Sequence, residues 1–176
     1  MIYYFLGRIM GLGGINMRKG NIYLYYGEGR GKTTLAIGQG MRALGEELSV
    51  VMVQFLDYNH NKEYIPLKRL EPEFRAFRFE KQRECYKESD RTEVTNEIRL
   101  AYNFSKKIIE TGESDMLILD GITDAVEEGF ISDSDVAELL KKRNEGMDII
   151  VTGCRKYDMI ADCADYIYSI NIEKKQ

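Results

Sequence analysis

Ile22-Tyr23-Leu24-Tyr25-Tyr26-Gly27-Glu28-Gly29-Arg30-Gly31-Lys32-Thr33-Thr34 is the stretch from which the rest of the chain is read. Its first residues are β-branched, aromatic or leucine, the composition of a strand. A glycine-rich turn follows, and Lys32 to Leu44 is rich in helix formers, with Gly45 as a helix stop. Strand, glycine turn and helix in that order are the context in which Gly-Lys-Thr makes a phosphate loop. The glycines let backbone N–H groups turn toward an anion, and the helix N-terminus adds a favourable dipole. Lys32 brings a point charge and Thr33 a hydroxyl for Mg²⁺. Gly27, Glu28, Gly29, Arg30, Gly31, Lys32, Thr33 and Thr34 are therefore expected to hold the phosphates of ATP. The usual spacing, Gly-x4-Gly-Lys-Thr, is missed by one: Tyr26 stands where the first glycine belongs and Gly27 follows it. The loop is shifted rather than lost.

Outward from this loop, Leu48 to Leu56 (LSVVMVQFL) is a near-continuous apolar run, as in a parallel strand buried on both faces, and is expected beside the first strand. Phe74 to Phe79 reads as an edge strand. Ser89 to Thr111 carries Val94, Ile98, Ala101, Tyr102, Ile108 and Ile109 at helical spacing and reads as a long amphipathic helix. Met116 to Leu119 is a strand ending in Asp120, and Asp133 to Arg143 a helix with an acidic first turn. Asp148 to Thr152 (DIIVT) is another buried strand, followed by a last helix near Asp158 to Cys163 and a final strand over Tyr166 to Ile172. Alternating strands and helices argue for an α/β fold, a mostly parallel sheet with helices on both faces. A carboxylate closing a later buried strand is the usual second half of a phosphate-loop site, so Asp120 is expected to hold Mg²⁺ or its water. It also suits the N-cap of the segment from Thr123, and the two roles are compatible.

With 176 residues, one domain is the default, read as an N-terminal extension over 1–20 and a nucleotide-binding domain over 21–176. Hydrophobic residues at 44% and charged residues at 31% exclude the disordered regime. A net charge of -4 disfavours nucleic acid as a partner. Cys85, Cys154 and Cys163 show no CxxC spacing and His60 is the only histidine, which points to a reducing, cytoplasmic setting without a zinc site. The apolar run Ile2 to Ile15 falls short of the roughly 20 residues that span a bilayer and lacks a basic flank before it, so no membrane anchor is expected. Met17-Arg18-Lys19-Gly20 sits just before the first strand. The run before it reads equally as an upstream extension or an ordered arm, and deleting Met1 to Asn16 is expected to leave thermal stability nearly unchanged.

GEGRGKTT together with MRALG (Met41 to Gly45), VQFLDY (Val53 to Tyr58), LDGITDAVEEGF (Leu119 to Phe130), VTGCRKY (Val151 to Tyr157) and CADYIYSI (Cys163 to Ile170) resembles the P-loop corrinoid adenosyltransferases. That family reads GNGKGKTT, RALG, VQFIKG, LDEI or LDEL, a TGR turn and an ADLV-like last strand, with the same early-glycine omission. The likeness runs from Ile22 to Ile170 and is weakest between Tyr58 and Glu113. It implies a RecA-like P-loop fold, a homodimer, and transfer of the 5′-deoxyadenosyl group of ATP to the reduced cobalt of a corrinoid with release of triphosphate. It also implies roles for Lys32 and Asp120 in catalysis, for Thr33 and Asp120 at Mg²⁺, and for Arg155 at the nucleotide. Three positions depart from the family: Gly121 replaces the Glu of Leu-Asp-Glu, Cys154 the Arg of Thr-Gly-Arg, with Arg155 adjacent, and Asp57 the Lys of the VQFIKG turn. Loss of the carboxylate at Gly121 is expected to weaken Mg²⁺ binding, so that Gly121→Glu restores it, unless the glycine serves a positive φ. Phe77, Phe79 and Tyr86 are the aromatics available to the corrin side, and packing explains them equally well. His60, in a polar turn, reads as surface. A divergent ATPase, with Gln54 or Asp57 orienting water, and a non-catalytic ATP-binding paralogue are the alternatives.

Overall fold

Short apolar runs alternate with helices along the chain, and each run becomes a strand of one sheet. The structure, a computed structural model, describes residues 18–56, 64–81, 87 and 90–174. In chain order the elements are β1 (Ile22–Tyr26), α1 (Lys32–Gly45), β2 (Val50–Gln54), α2 (Tyr64–Leu67), a 3-10 turn (Lys68–Leu70), β3 (Phe74–Arg78) and α3 (Arg91–Thr111). There follow β4 (Met116–Asp120), α4 (Ile122–Glu127), α5 (Asp133–Lys141), β5 (Asp148–Gly153), α6 (Asp158–Ala161) and β6 (Tyr166–Ser169). All strand pairs are parallel, in the order β3-β2-β4-β5-β1-β6. The fold is the expected RecA-like α/β architecture.

The expectation that the second strand lies beside the first is corrected: β4 and β5 stand between them. A helix about 10 Å wide covers two strands spaced about 4.8 Å apart. After the phosphate turn α1 lies over β4 and β5, and the chain re-enters the sheet beyond them. Gly40 lets α1 sit low, because a Cβ there would fall 2.6 Å from the Phe74 ring. The runs of β2, β4 and β5 are buried throughout, which explains their lack of polar alternation.

The two faces of the sheet carry separate cores. On one, Val51, Val53, Leu117, Leu119, Ile149 and Val151 meet Val94, Ile98 and Ile108 of α3 and Val136, Leu139 and Leu140 of α5. On the other, Met52, Phe74, Ile118 and Ile150 meet Ala36 and Ala43 of α1. Helices end where local chemistry stops them. Ser132 accepts a hydrogen bond from the Asp135 N–H at the start of α5, and Gly112 takes φ 63° after α3. α1 runs through Gly45, and Glu47 rather than Gly45 adopts the left-handed turn, at φ 60°.

Arg18 pairs with Asp148, and the Gly20 N–H donates to the Glu145 carbonyl over 2.6 Å, so residues 18–20 are fastened to the start of β5. On the face beside α1, Tyr23 stacks on Tyr166 at 5.2 Å and Tyr25 leans on Tyr168 at 5.3 Å along the β6 edge. Among the described residues no helix is long and apolar enough to cross a membrane, and no group of three or more His, Cys, Asp or Glu side chains is placed to hold a metal. Ile2 to Ile15, Asp57, His60, Cys85 and Tyr86 lie outside the described residues.

Candidate functional site

Parallel strands all end on the same side, and β1 delivers the glycine loop there. Gly27 and Gly31 take φ 125° and 139°, values that a side chain rarely adopts. The Gly27 N–H donates to the Cys154 carbonyl at 3.1 Å and the Gly29 N–H to the Ile170 carbonyl at 2.9 Å. Two of the expected phosphate donors are therefore engaged within the protein, bracing the loop against the ends of β5 and β6. The first helical bond of α1 runs from Leu35 N–H to the Gly31 carbonyl, 2.8 Å, so the amides of Lys32, Thr33 and Thr34 stand at the open helix start, where an anion is favoured. Lys32 curls over the loop, its Nζ 2.7 Å from the Gly27 carbonyl and 3.1 Å from that of Gly29. Glu28, Arg30 and Thr34 are exposed at its rim.

Asp120 ends β4 directly beneath α1, with the Thr33 hydroxyl 2.9 Å from Oδ1 and 3.1 Å from Oδ2. The two halves of the site expected from sequence thus meet. The Thr152 hydroxyl donates to Asp120 Oδ1 at 2.7 Å and accepts the Gly121 N–H at 2.8 Å. Gln54 Nε2 lies 3.4 Å from Oδ2, and Arg78 Nη2 donates to Gln54 Oε1 at 3.0 Å. Asp120, Gln54 and Thr152 are all buried, so each depends on these partners in place of water.

Gly121 follows at φ 78°, and a Cβ there would fall 2.4 Å from the Phe55 carbonyl oxygen. The missing carboxylate therefore reflects a backbone turn that admits only glycine comfortably. One turn into α4, Asp124 Oδ1 accepts the Cys154 N–H at 2.5 Å, tying α4 to the turn that receives Gly27. Burial pushes the Cys154 thiol pKa up, and Asp124 adds to the effect while the Lys32 charge opposes it. Arg155 points away: its side chain is 70% exposed and its Nε lies 2.8 Å from Glu127. Phe77 and Phe79, both partly buried, pack on Phe104 of α3, at 4.6 and 5.4 Å, which is the packing that the sequence offered as the alternative to a corrin-side role.

The structure brings together the loop, Lys32, Thr33 and Asp120, and leaves Arg155 outside that cluster. Sequence reasoning missed the setting of Asp120. Its signal was present: Gln54 is the last residue of one apolar strand and Thr152 the last but one of another, where an unpaired polar group would be costly.

Residues 18–176 match the profile of the family described as ATP:corrinoid adenosyltransferase BtuR/CobO/CobP. The corrinoid adenosyltransferase of Escherichia coli K12 is 28% identical over 149 residues, 85% of this chain and 75% of that protein. The corrinoid adenosyltransferase CobA of Salmonella typhimurium LT2 is likewise 28% identical over 149 residues, with the same shares of each chain. That of Pseudomonas aeruginosa is 21% identical over 156 residues, 89% of this chain and 77% of its own. A KaiC-like protein from Pyrococcus horikoshii OT3 shares the fold at a TM-score of 0.58 and 15% identity, over 94% of this chain and 81% of that one.

Proposed function

The chain belongs to the ATP:corrinoid adenosyltransferase family, and from that membership we propose the reaction and the part each residue plays in it. The electron pair of a reduced corrinoid cobalt attacks the 5′ carbon of ATP. A cobalt–carbon bond forms, the carbon–oxygen bond to the phosphates breaks, and triphosphate leaves. No proton needs to move, so the protein's work is alignment and stabilisation of the departing anion. Lys32 and the amides at the start of α1 take the triphosphate, with Arg155 joining on exchange of Glu127 for phosphate. The Thr33 hydroxyl and the Asp120 carboxylate form an oxygen-only pair that suits Mg²⁺, a cation that keeps several waters and takes the rest of its shell from phosphate. Bound there, the ion would neutralise charge on the leaving group. Residues 21–176 act as one such domain, in the cytoplasm and as a homodimer.

The observation that carries this reading is the Thr33–Asp120 contact of 2.9 Å, which joins the loop to the strand-end carboxylate. The test is product analysis after mixing the protein with ATP, Mg²⁺ and chemically reduced cobalamin. Adenosylcobalamin with triphosphate supports it. ADP with phosphate assigns the protein to ATP hydrolysis instead, and ATP binding without product makes it a non-catalytic relative.

A further inference from the structure

We propose that Gln54 and Thr152 are positioning residues that lock the Asp120 carboxylate in place for the metal–triphosphate complex, an inference that rests on the site reading above. Both orientations follow from donor and acceptor accounting. The Thr152 hydroxyl has a single proton and already accepts the Gly121 N–H at 2.8 Å, so that proton is left for Asp120 Oδ1, 2.7 Å away. The Gln54 amide has a donor end and an acceptor end. Arg78 only donates, and its Nη2 lies 3.0 Å from Oε1, so the NH₂ end is turned to Asp120 Oδ2.

The two clamps come from opposite sides. Gln54 ends β2 and is in register with Asp120, while Thr152 is near the end of β5, on the other side of β4. Both are almost wholly buried, at 3% and 2% exposure. Each donates, which suits a carboxylate rather than a carboxylic acid. Thr33 differs from them: it is half-buried and rides on the helix that opens at the phosphate loop. Gln54 and Thr152 are anchored in the sheet, whereas Thr33 sits in the first turn of α1, next to the phosphate loop. The carboxylate therefore keeps its rotamer whether or not the Thr33 hydroxyl stays on it, and the site presents a fixed anion at the strand end. Arg78 extends the clamp to β3, because it sets the direction of the Gln54 amide.

The experiment uses the full chain and Mn²⁺ as a paramagnetic stand-in for Mg²⁺, its free concentration read by electron paramagnetic resonance in the presence of ATP. Metal-free ATP affinity is measured by calorimetry on the same samples. Thr152→Val and Gln54→Leu are expected to lose about 10- to 100-fold in Mn²⁺ affinity, the usual cost of removing a partner of a metal-ligating group, with metal-free ATP affinity unchanged. Thr152→Ser, which keeps the hydroxyl, is expected to restore binding. Thr152→Val with wild-type Mn²⁺ affinity and a lowered melting temperature overturns the proposal, since the hydroxyl is then only a brace. Thr152→Ser as poor as Thr152→Val overturns it as well. Should Gln54→Leu fail to fold, the Thr152 pair decides. Asp120→Asn separates the two readings. If it binds Mn²⁺ like the wild type, the site reading falls and takes this inference with it. If it is impaired while the Thr152 and Gln54 variants are not, the inference alone falls.

Discussion

Restoring the family's carboxylate by Gly121→Glu tests whether chemistry or backbone geometry governs that position. Gly121 sits at φ 78°, and a side chain there would start 2.4 Å from the Phe55 carbonyl oxygen, well inside van der Waals contact. Phe55 cannot withdraw freely, because its N–H donates to the Asp120 carbonyl at 2.8 Å as part of the junction between β2 and β4. Left-handed strain costs about 1–3 kcal/mol and loss of that hydrogen bond about 1 kcal/mol, so the substitution should destabilise the fold by roughly 2–4 kcal/mol. In a domain of this size the melting temperature falls by roughly 5–15 °C. Gly121→Ala, which adds the Cβ without charge, should account for most of that fall. The assay is thermal and urea unfolding of the three proteins, paired with Mg²⁺ titration in the presence of ATP. A Gly121→Glu protein as stable as the wild type, with tighter Mg²⁺ binding, would refute the reasoning and restore the carboxylate argument drawn from sequence.

Lys32→Ala should lower ATP affinity roughly 10- to 100-fold, because a hydrogen bond to a charged group is worth about 1.5–3 kcal/mol, while the melting temperature stays near that of the wild type. Unchanged affinity in calorimetry would remove Lys32 from the site. Gly27→Ala should abolish tight ATP binding, since its Cβ would fall 2.3 Å from the Ile170 carbonyl oxygen and push the loop off β6; full binding in a nucleotide titration would contradict the bracing described above. Burial, with the nearby phenols Tyr168 and Tyr23, pushes the Tyr25 pKa up to about 12. Its unfolded value is about 10, so the fold favours the neutral phenol: this stability is complete below pH about 10 and is lost as the pH rises toward 12. Tyr25→Phe should flatten the alkaline limb of a stability–pH profile, and an unchanged slope would count against it.

The elements were legible where one local rule decides them. Ile22–Tyr26, the glycines and Lys32–Thr33 announce a phosphate loop, and Asp120 closes an apolar run that can hardly be anything but a buried strand. The order of strands was not legible, because parallel pairing is a contest among distant runs of similar composition: LSVVMVQFL, MLIL and DIIVT are near-equivalent as sequence. Of the two readings of Gly121 that the sequence left open, a lost carboxylate and a positive φ, only the structure shows the second, at φ 78°. The residue's letter records an absent carboxylate, whereas the carbonyl that crowds a side chain belongs to Phe55, the residue after β2, and is visible only in three dimensions. Arg155 was enlisted because it neighbours the position of the family's arginine, yet a one-residue shift past Gly153 turns it outward to Glu127.

The place of β1 between β5 and β6 also sets a timetable. β1 is the first strand of the sheet to leave the ribosome, but both its partners come from the far end of the chain, with Leu24 facing Val151 on one side and Ile167 on the other. β2, β3 and β4 are expected to pair earlier, since their partners are nearer in sequence. The glycine loop cannot acquire its shape until the Cys154 and Ile170 carbonyls arrive to receive Gly27 and Gly29. A nascent chain halted before β5 carries the whole phosphate-binding signature and no site, with two edges of partly assembled sheet exposed to aggregation in the meantime. Capture on an immobilised ATP analogue would therefore count finished molecules, not translated motifs.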